Sequence, residues 1–184
     1  MRTPRKNPTR VLAVDPYSRG VGFAVLEGPD CLIDWGLKST KTADNRKAVR
    51  VIETLIKRFR PDILVLEDWD ADDSRRCSRI QELLIRVAQN ERNRLRVRVV
   101  SMKQIRKIGP LPQCATKYGR SIVIAERFPE LRAFLPPFRK PWMHEDDRMS
   151  IFDAAGFALA QLRISSWKTQ NDDAAGAPEP GSRS

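Results

Sequence analysis

RVLAVDPYSRGVGFAVL, residues Arg10 to Leu26, sets two apolar runs on either side of an acid and a polar turn. Val11 to Val14 is short, continuous and apolar, the pattern of a buried strand, and it delivers the carboxylate of Asp15 at its end. The second run, Gly20–Glu27, predicts a partner strand. Cys31 to Leu37 predicts a third beyond the Gly28-Pro29-Asp30 turn, giving an antiparallel meander. A carboxylate at the end of a buried strand calls for a cation.

Beyond the meander the period changes. From Thr42 onward Val49, Ile52, Leu55, Ile56 and Phe59 recur at helical spacing, opposite Arg50, Glu53 and Lys57, until Arg60-Pro61 ends the helix. Asp62 to Asp68 (DILVLED) is then a fourth, buried strand that ends in a second acid, Glu67. A right-handed crossover through the helix lays this strand parallel to the first and makes Asp15 and Glu67 neighbours. Two carboxylates so close resist joint ionisation unless a cation neutralises them, and oxygen ligands favour Mg²⁺ or Mn²⁺ over zinc.

The remainder predicts a basic helix over 74–93, a fifth strand at Arg96–Ser101, and a helix within ATKYGRSIVIAERFPEL, interrupted at Gly119. A last helix of about 17 residues begins near His144. That helix offers Glu145, Asp146, Asp147 and Asp153. Two registers compete for it: one sets Asp147 on an inward stripe with Ile151, Ala154, Ala158 and Leu162, the other sets Asp153 on a face with Asp146, Phe157 and Ala160. The first is preferred because a helix start sits closer to the strand ends. Asp146 is then a direct ligand or a hydrogen-bond partner of bound water, and His144 and Asp153 are alternative ligands.

With 184 residues, 41% of them hydrophobic, the chain has material for one core. The expected division is a basic arm over 1–9, one domain over 10–168 and a disordered tail over 169–184. A net charge of +11 implies attraction to a polyanion. No apolar run reaches the roughly 18–20 residues of a membrane span, and the start is basic without the apolar core of a signal peptide, so the expectation is a cytoplasmic protein with no membrane partner. The three cysteines suggest neither a disulfide framework nor a zinc site. Arg19, Arg75, Arg76, Arg79, Lys103, Arg106, Lys107, Lys117 and Arg120 are the candidate phosphate contacts. Tyr17 and Trp69 flank the acids and are candidates for stacking on a base.

These residues resemble a known family. Asp15-Pro-Tyr-Ser-Arg19-Gly-Val-Gly22-Phe is similar to the DPGSRxxGY segment that opens the RuvC family of Holliday junction resolvases, with Tyr17 in place of a glycine. Glu67 in LVLED resembles the family's strand-end glutamate, and His144-Glu-Asp-Asp147 resembles its terminal H/D-x-x-D signature. The likeness spans roughly residues 10 to 163. It implies an RNase H-like α/β fold with a five-stranded mixed sheet (antiparallel β1-β2-β3, parallel β4 and β5), a homodimer, and metal-dependent nicking of branched DNA. In that scheme Asp15 bridges two Mg²⁺ (or Mn²⁺) ions about 3.5–4 Å apart, completed by Glu67, Asp147 and Asp146. The apolar face of the 74–93 helix would lie near the dimer interface, and the basic residues from Lys103 to Arg120 near DNA. The rival readings are a non-catalytic nucleic-acid-binding module and an RNase H-like nuclease acting on RNA or mobile-element DNA.

Overall fold

The computed structural model describes residues 8–17, 19–40, 45–67, 85, 95–101, 116–140 and 142–175, with side chains described as far as residue 163. Strands β1 (Arg10–Tyr17), β2 (Gly20–Glu27) and β3 (Leu32–Ser39) are followed by helix α1 (Asn45–Phe59) and strands β4 (Ile63–Glu67) and β5 (Arg96–Val100). Helix α2 (Lys117–Arg127), a 3₁₀ helix (Pro129–Phe134) and helix α3 (Met149–Ala175) complete the described elements. The five strands form one sheet in the order β3-β2-β1-β4-β5. β1 pairs antiparallel with β2, and β2 with β3, whereas β4 runs parallel to both β1 and β5. This is the mixed sheet expected from the sequence.

Alternation along the strands assigns each side chain to a face. Leu12, Val14, Val21, Phe23, Leu64 and Leu66 pack against α1. Val11, Ala13, Ala24, Leu26, Ile63 and Val65 pack against α2 and α3 on the opposite face. The period of two therefore carries Asp15, two residues after Ala13, and Glu67, two after Val65, to the α3 side. Helix α1 buries the five predicted apolar residues and Ala48. Arg60 adopts φ 46°, its N–H bonding the Ile56 carbonyl at 2.8 Å, and Pro61 then prevents continuation.

Three local departures from the sequence reading have physical causes. Asp15 is not the end of β1: the strand continues through Pro16 to Tyr17, with Asp15 opposite Gly22. Pairing with β4 stops at Val14 opposite Leu66, so the proline lacks its N–H where no ladder bond to β4 is required. Gly119 does not interrupt α2, because its N–H is bonded at 3.0 Å by the capping hydroxyl of Thr116. That helix instead stops at Arg127, since Phe128 precedes Pro129 and takes an extended φ of −119° and ψ of 89°, and 129–134 winds as a 3₁₀ helix.

The last helix differs most. It begins at Met149 rather than near His144 and spans 27 residues. Residues 146–148 form a tight lead-in, in which Met149, Ser150 and Ile151 donate to the carbonyls three residues back. The Asp146 carboxylate accepts from the Arg148 backbone N–H at 3.0 Å, an Asx arrangement that competes with helix at this point. At the other end the helical backbone reaches Ala175, into the stretch expected to be a disordered tail. No described helix is long and apolar enough to cross a membrane.

Candidate active site

Asp15 is 6% exposed in the centre of the sheet, on the face covered by α3. Removal from water pushes its carboxyl well above the usual 3.8, and the carboxylates of Asp153 and Glu67 push it further. Lys117 and a hydrogen bond from the Ser150 side chain act in the opposite direction without cancelling the rise. The neighbourhood of Asp15 and Glu67 inferred from strand order is thus present, and its electrostatic consequence is a carboxyl that resists ionising.

Ser150, in the first turn of α3, joins the site without being among the candidates from the sequence. It is 6% exposed and packs over β2 where Gly22 offers no side chain. A Cβ on Gly22 would stand 2.6 Å from the Ser150 carbonyl carbon and 2.7 Å from its oxygen. Gly22 is also the register partner of Asp15, so one glycine lets the helix start descend onto the sheet beside the acid.

Asp15 and Glu67 open into a cavity of about 460 Å³. Its far wall comes from the segment ahead of α3, namely His144, Glu145, Asp146 and Asp147; Tyr17, Arg19 and Lys117 line the sides. Asp147 is ion-paired with Arg19 at 3.2 Å. Burial, the negative charge of Asp147 and the opposing Arg19 leave the Tyr17 hydroxyl with a raised pKa. Asp146 turns to Arg148, whose guanidinium bonds it at 2.6 and 2.9 Å and holds its carboxyl below the usual range.

Neither helical register is realised whole. Asp147 precedes the helix, yet it borders the cavity. Asp153 lies on the helix with its side chain 9% exposed, where burial raises its carboxyl while Lys117 opposes the rise. Of the nearby charges, Asp153 has the largest influence on Asp15.

The basic candidates divide. Arg19 is exposed at the cavity edge. Lys117 faces the acids rather than open solvent, with its ammonium 2.5 Å from Glu145 and 2.6 Å from Asp153. Burial works against its charge, but those two carboxylates and Asp15 more than compensate and raise its pKa. Arg120 is 7% exposed and near enough to Asp153 to stabilise its charge, so it belongs to the interior and not to a DNA-facing surface. Arg75, Arg76, Arg79, Lys103, Arg106 and Lys107 lie outside the described residues, as do Trp69 and, apart from Ile85, the 74–93 helix with its expected dimer face.

Among the described residues, no three His, Cys, Asp or Glu side chains form a ready-made metal cage. The donor set nevertheless suits a hard divalent cation: Asp15, Glu67, Asp147 and Glu145 offer carboxylate oxygens to one cavity, and Asp15 carries a charge cost that a cation would relieve.

No protein-family profile and no curated protein matches the chain in sequence. Solved structures do match in fold. RuvC of Thermus thermophilus is 15% identical, with a TM-score of 0.62 over 88% of this chain and 98% of its own. The yeast mitochondrial Holliday junction resolvase Ydc2 is 14% identical, with a TM-score of 0.63 over 93% and 86% of the two chains. A fowlpox virus resolvase, in complex with its substrate Holliday junction DNA, is 13% identical, with a TM-score of 0.50 over 85% and 99%. The chain has the RNase H-like fold of the RuvC-like resolvases.

Proposed function

We propose that this chain is a divalent-metal-dependent endonuclease that nicks branched DNA, with the Holliday junction as substrate. The observation that carries the reading is the buried Asp15, opening with Glu67 into a carboxylate-lined cavity on a fold shared with junction resolvases.

In this reading Asp15, Glu67 and Asp147 hold Mg²⁺ or Mn²⁺, with Asp146 and Glu145 beside them. The bound cation supplies charge neutralisation at the scissile phosphate and acidifies the attacking water. Ser150 orients the Asp15 carboxylate through its hydrogen bond. Lys117 keeps Asp153 and Glu145 neutralised, which limits the negative charge facing the approaching phosphate. Arg19 is released from Asp147 toward the DNA backbone. The net charge of +11 supports phosphate binding whose affinity falls steeply with salt. Two copies, one for each of two symmetric strands, complete the resolution of a junction.

The test is Mg²⁺-dependent cleavage of labelled four-way junctions, linear duplex, RNA–DNA hybrid and single strand. The expected result is junction cleavage by the native chain and its loss in Asp15→Asn with junction binding retained. Unchanged cleavage by Asp15→Asn overturns the mechanism, and preference for the hybrid overturns the substrate.

A further inference from the structure

Between the 3₁₀ helix and the acid-bearing segment, the chain exposes two aromatic rings that serve no core. Phe138 is 71% and Trp142 78% exposed, the largest values among the exposed large apolar side chains of the described residues. Arg139 and Lys140 stand beside them, both exposed, and the Lys140 ammonium lies 5.5 Å from the Trp142 ring centre. The loop is tied at both ends. Phe138 meets Tyr118 edge to face, with ring centres 5.4 Å apart, and the Met143 N–H bonds the Lys140 carbonyl at 3.0 Å.

Its position relates it to the cavity. Tyr118 directly follows Lys117, which lines the cavity wall, and Trp142 is two residues before His144 and four before Asp146, which line it too. Four residues span at most about 14 Å even when extended, so Trp142 stands within that distance of Asp146. Rings left in water next to cations match the chemistry of an unpaired nucleotide: the base stacks on the aromatic face and its phosphate meets the charge. An apolar protein partner would not call for an Arg-Lys pair between the rings, and the closeness in the chain to the carboxylate-lined cavity favours a nucleic acid over an anionic lipid surface, which the same cations would also attract.

We infer that Phe138 and Trp142 form a stacking platform for bases unpaired at the branch point of the DNA, immediately beside the phosphate that is cut, with Arg139 and Lys140 on the flanking phosphates. The inference rests on the nuclease reading above and adds to it the means by which a branched substrate is told from a duplex.

The experiment uses the full chain and a four-way junction carrying 2-aminopurine next to the cleaved position, with a linear duplex of the same sequence alongside. The native chain is expected to quench the probe. Phe138→Ala with Trp142→Ala should abolish the quenching and weaken junction binding at least about tenfold, while duplex binding stays within about twofold. Trp142→Phe should retain most of the native affinity. Both rings are exposed, so circular dichroism is expected to show the double variant folded. Native quenching and affinity in the double variant overturn the platform. So does an equal loss on junction and duplex. A native chain that neither binds nor cuts junctions overturns the nuclease reading and the platform with it. Binding to anionic phosphatidylserine vesicles or self-association of the native chain, lost in the double variant, assigns these rings to a membrane or a second copy and also overturns it.

Discussion

Lys117 Nζ stands 2.6 Å from Asp153 Oδ2, joining the first turn of α2 to the second turn of α3. Asp153 is buried and raised by that burial, and Lys117 is the first of the forces holding it down. Removing the lysine strands a buried carboxylate. Lys117→Met is expected to destabilise the chain by about 2 kcal/mol, less than the range for a fully buried pair because the lysine side chain is 38% exposed. Adding Asp153→Asn should recover most of the loss. Denaturant unfolding of the two single variants and the double variant measures the coupling, and strictly additive losses would refute it.

Asp15 gives a pH dependence of defined sign. Its folded pKa lies above the ordinary 3.8, so between those values the native state keeps a proton that the unfolded chain releases. Its contribution to stability is therefore greatest at low pH and declines as pH rises through the folded value. Asp15→Asn mimics the protonated form. Without divalent metal, its melting temperature should match the native chain's at about pH 4 and exceed it by about 3 °C at about pH 8. A deficit at the higher pH would contradict the desolvated acid described here.

Mg²⁺ should reverse that ordering. A cation bound by the folded carboxylates stabilises the native chain by mass action, about 2.7 kcal/mol at a hundredfold excess over the dissociation constant. Titrating Mg²⁺ while following thermal unfolding is expected to raise the native midpoint by several degrees and to leave Asp15→Asn nearly unmoved. Equal shifts in both would point to non-specific ionic effects.

Ser150 acts on the same carboxylate. Its hydrogen bond favours the ionised form of Asp15, so Ser150→Ala should raise the Mg²⁺ concentration for half-maximal stabilisation by roughly tenfold, as expected for a bond to a charged group. Folding should be little affected, since alanine fits the same space. An unchanged Mg²⁺ requirement would show that the serine does nothing for the acid.

Gly22→Ala tests the docking of α3. The new methyl would meet the Ser150 backbone at 2.6 and 2.7 Å, and a helix start cannot rotate away as a flexible side chain would. A loss of about 1–3 kcal/mol is expected, together with a fall in any Mg²⁺-dependent activity. Full native stability in this variant would mean the helix start is free to move.

Much of this architecture was written in the period of the sequence. Apolar runs of four at Val11–Val14 and Ile63–Leu66, separated by a helix with one apolar stripe, imply two parallel strands, and a period of two sends Asp15 and Glu67 to the same face. Those inferences use the two-residue period, which neighbours in the chain fix for one another, and the fixed hand of a helical crossover. The acids of the last helix were less tractable. Ile151, Ala154, Ala158 and Leu162 of one register are buried, and so are Phe157 and Ala160 of the other. A helix that is apolar all round offers no stripe to read, so its pattern could not select an inward aspartate.

That selection was made by contacts distant in sequence. Gly22 on β2 admits the helix start, and Lys117, in the first turn of the Thr116-capped α2, makes Asp153 tolerable in the interior. Arg120 counts among the candidate phosphate contacts because it lies in a basic stretch, and only the packing of α2 against α3 reveals it as an internal charge that stabilises Asp153. The sequence by itself determined the strand order and the pairing of Asp15 with Glu67, because alternation and connection lengths are local quantities. Tertiary structure decided how each remaining charge is used, because the free energy of a charge depends on which groups from other elements surround it and how much water they exclude.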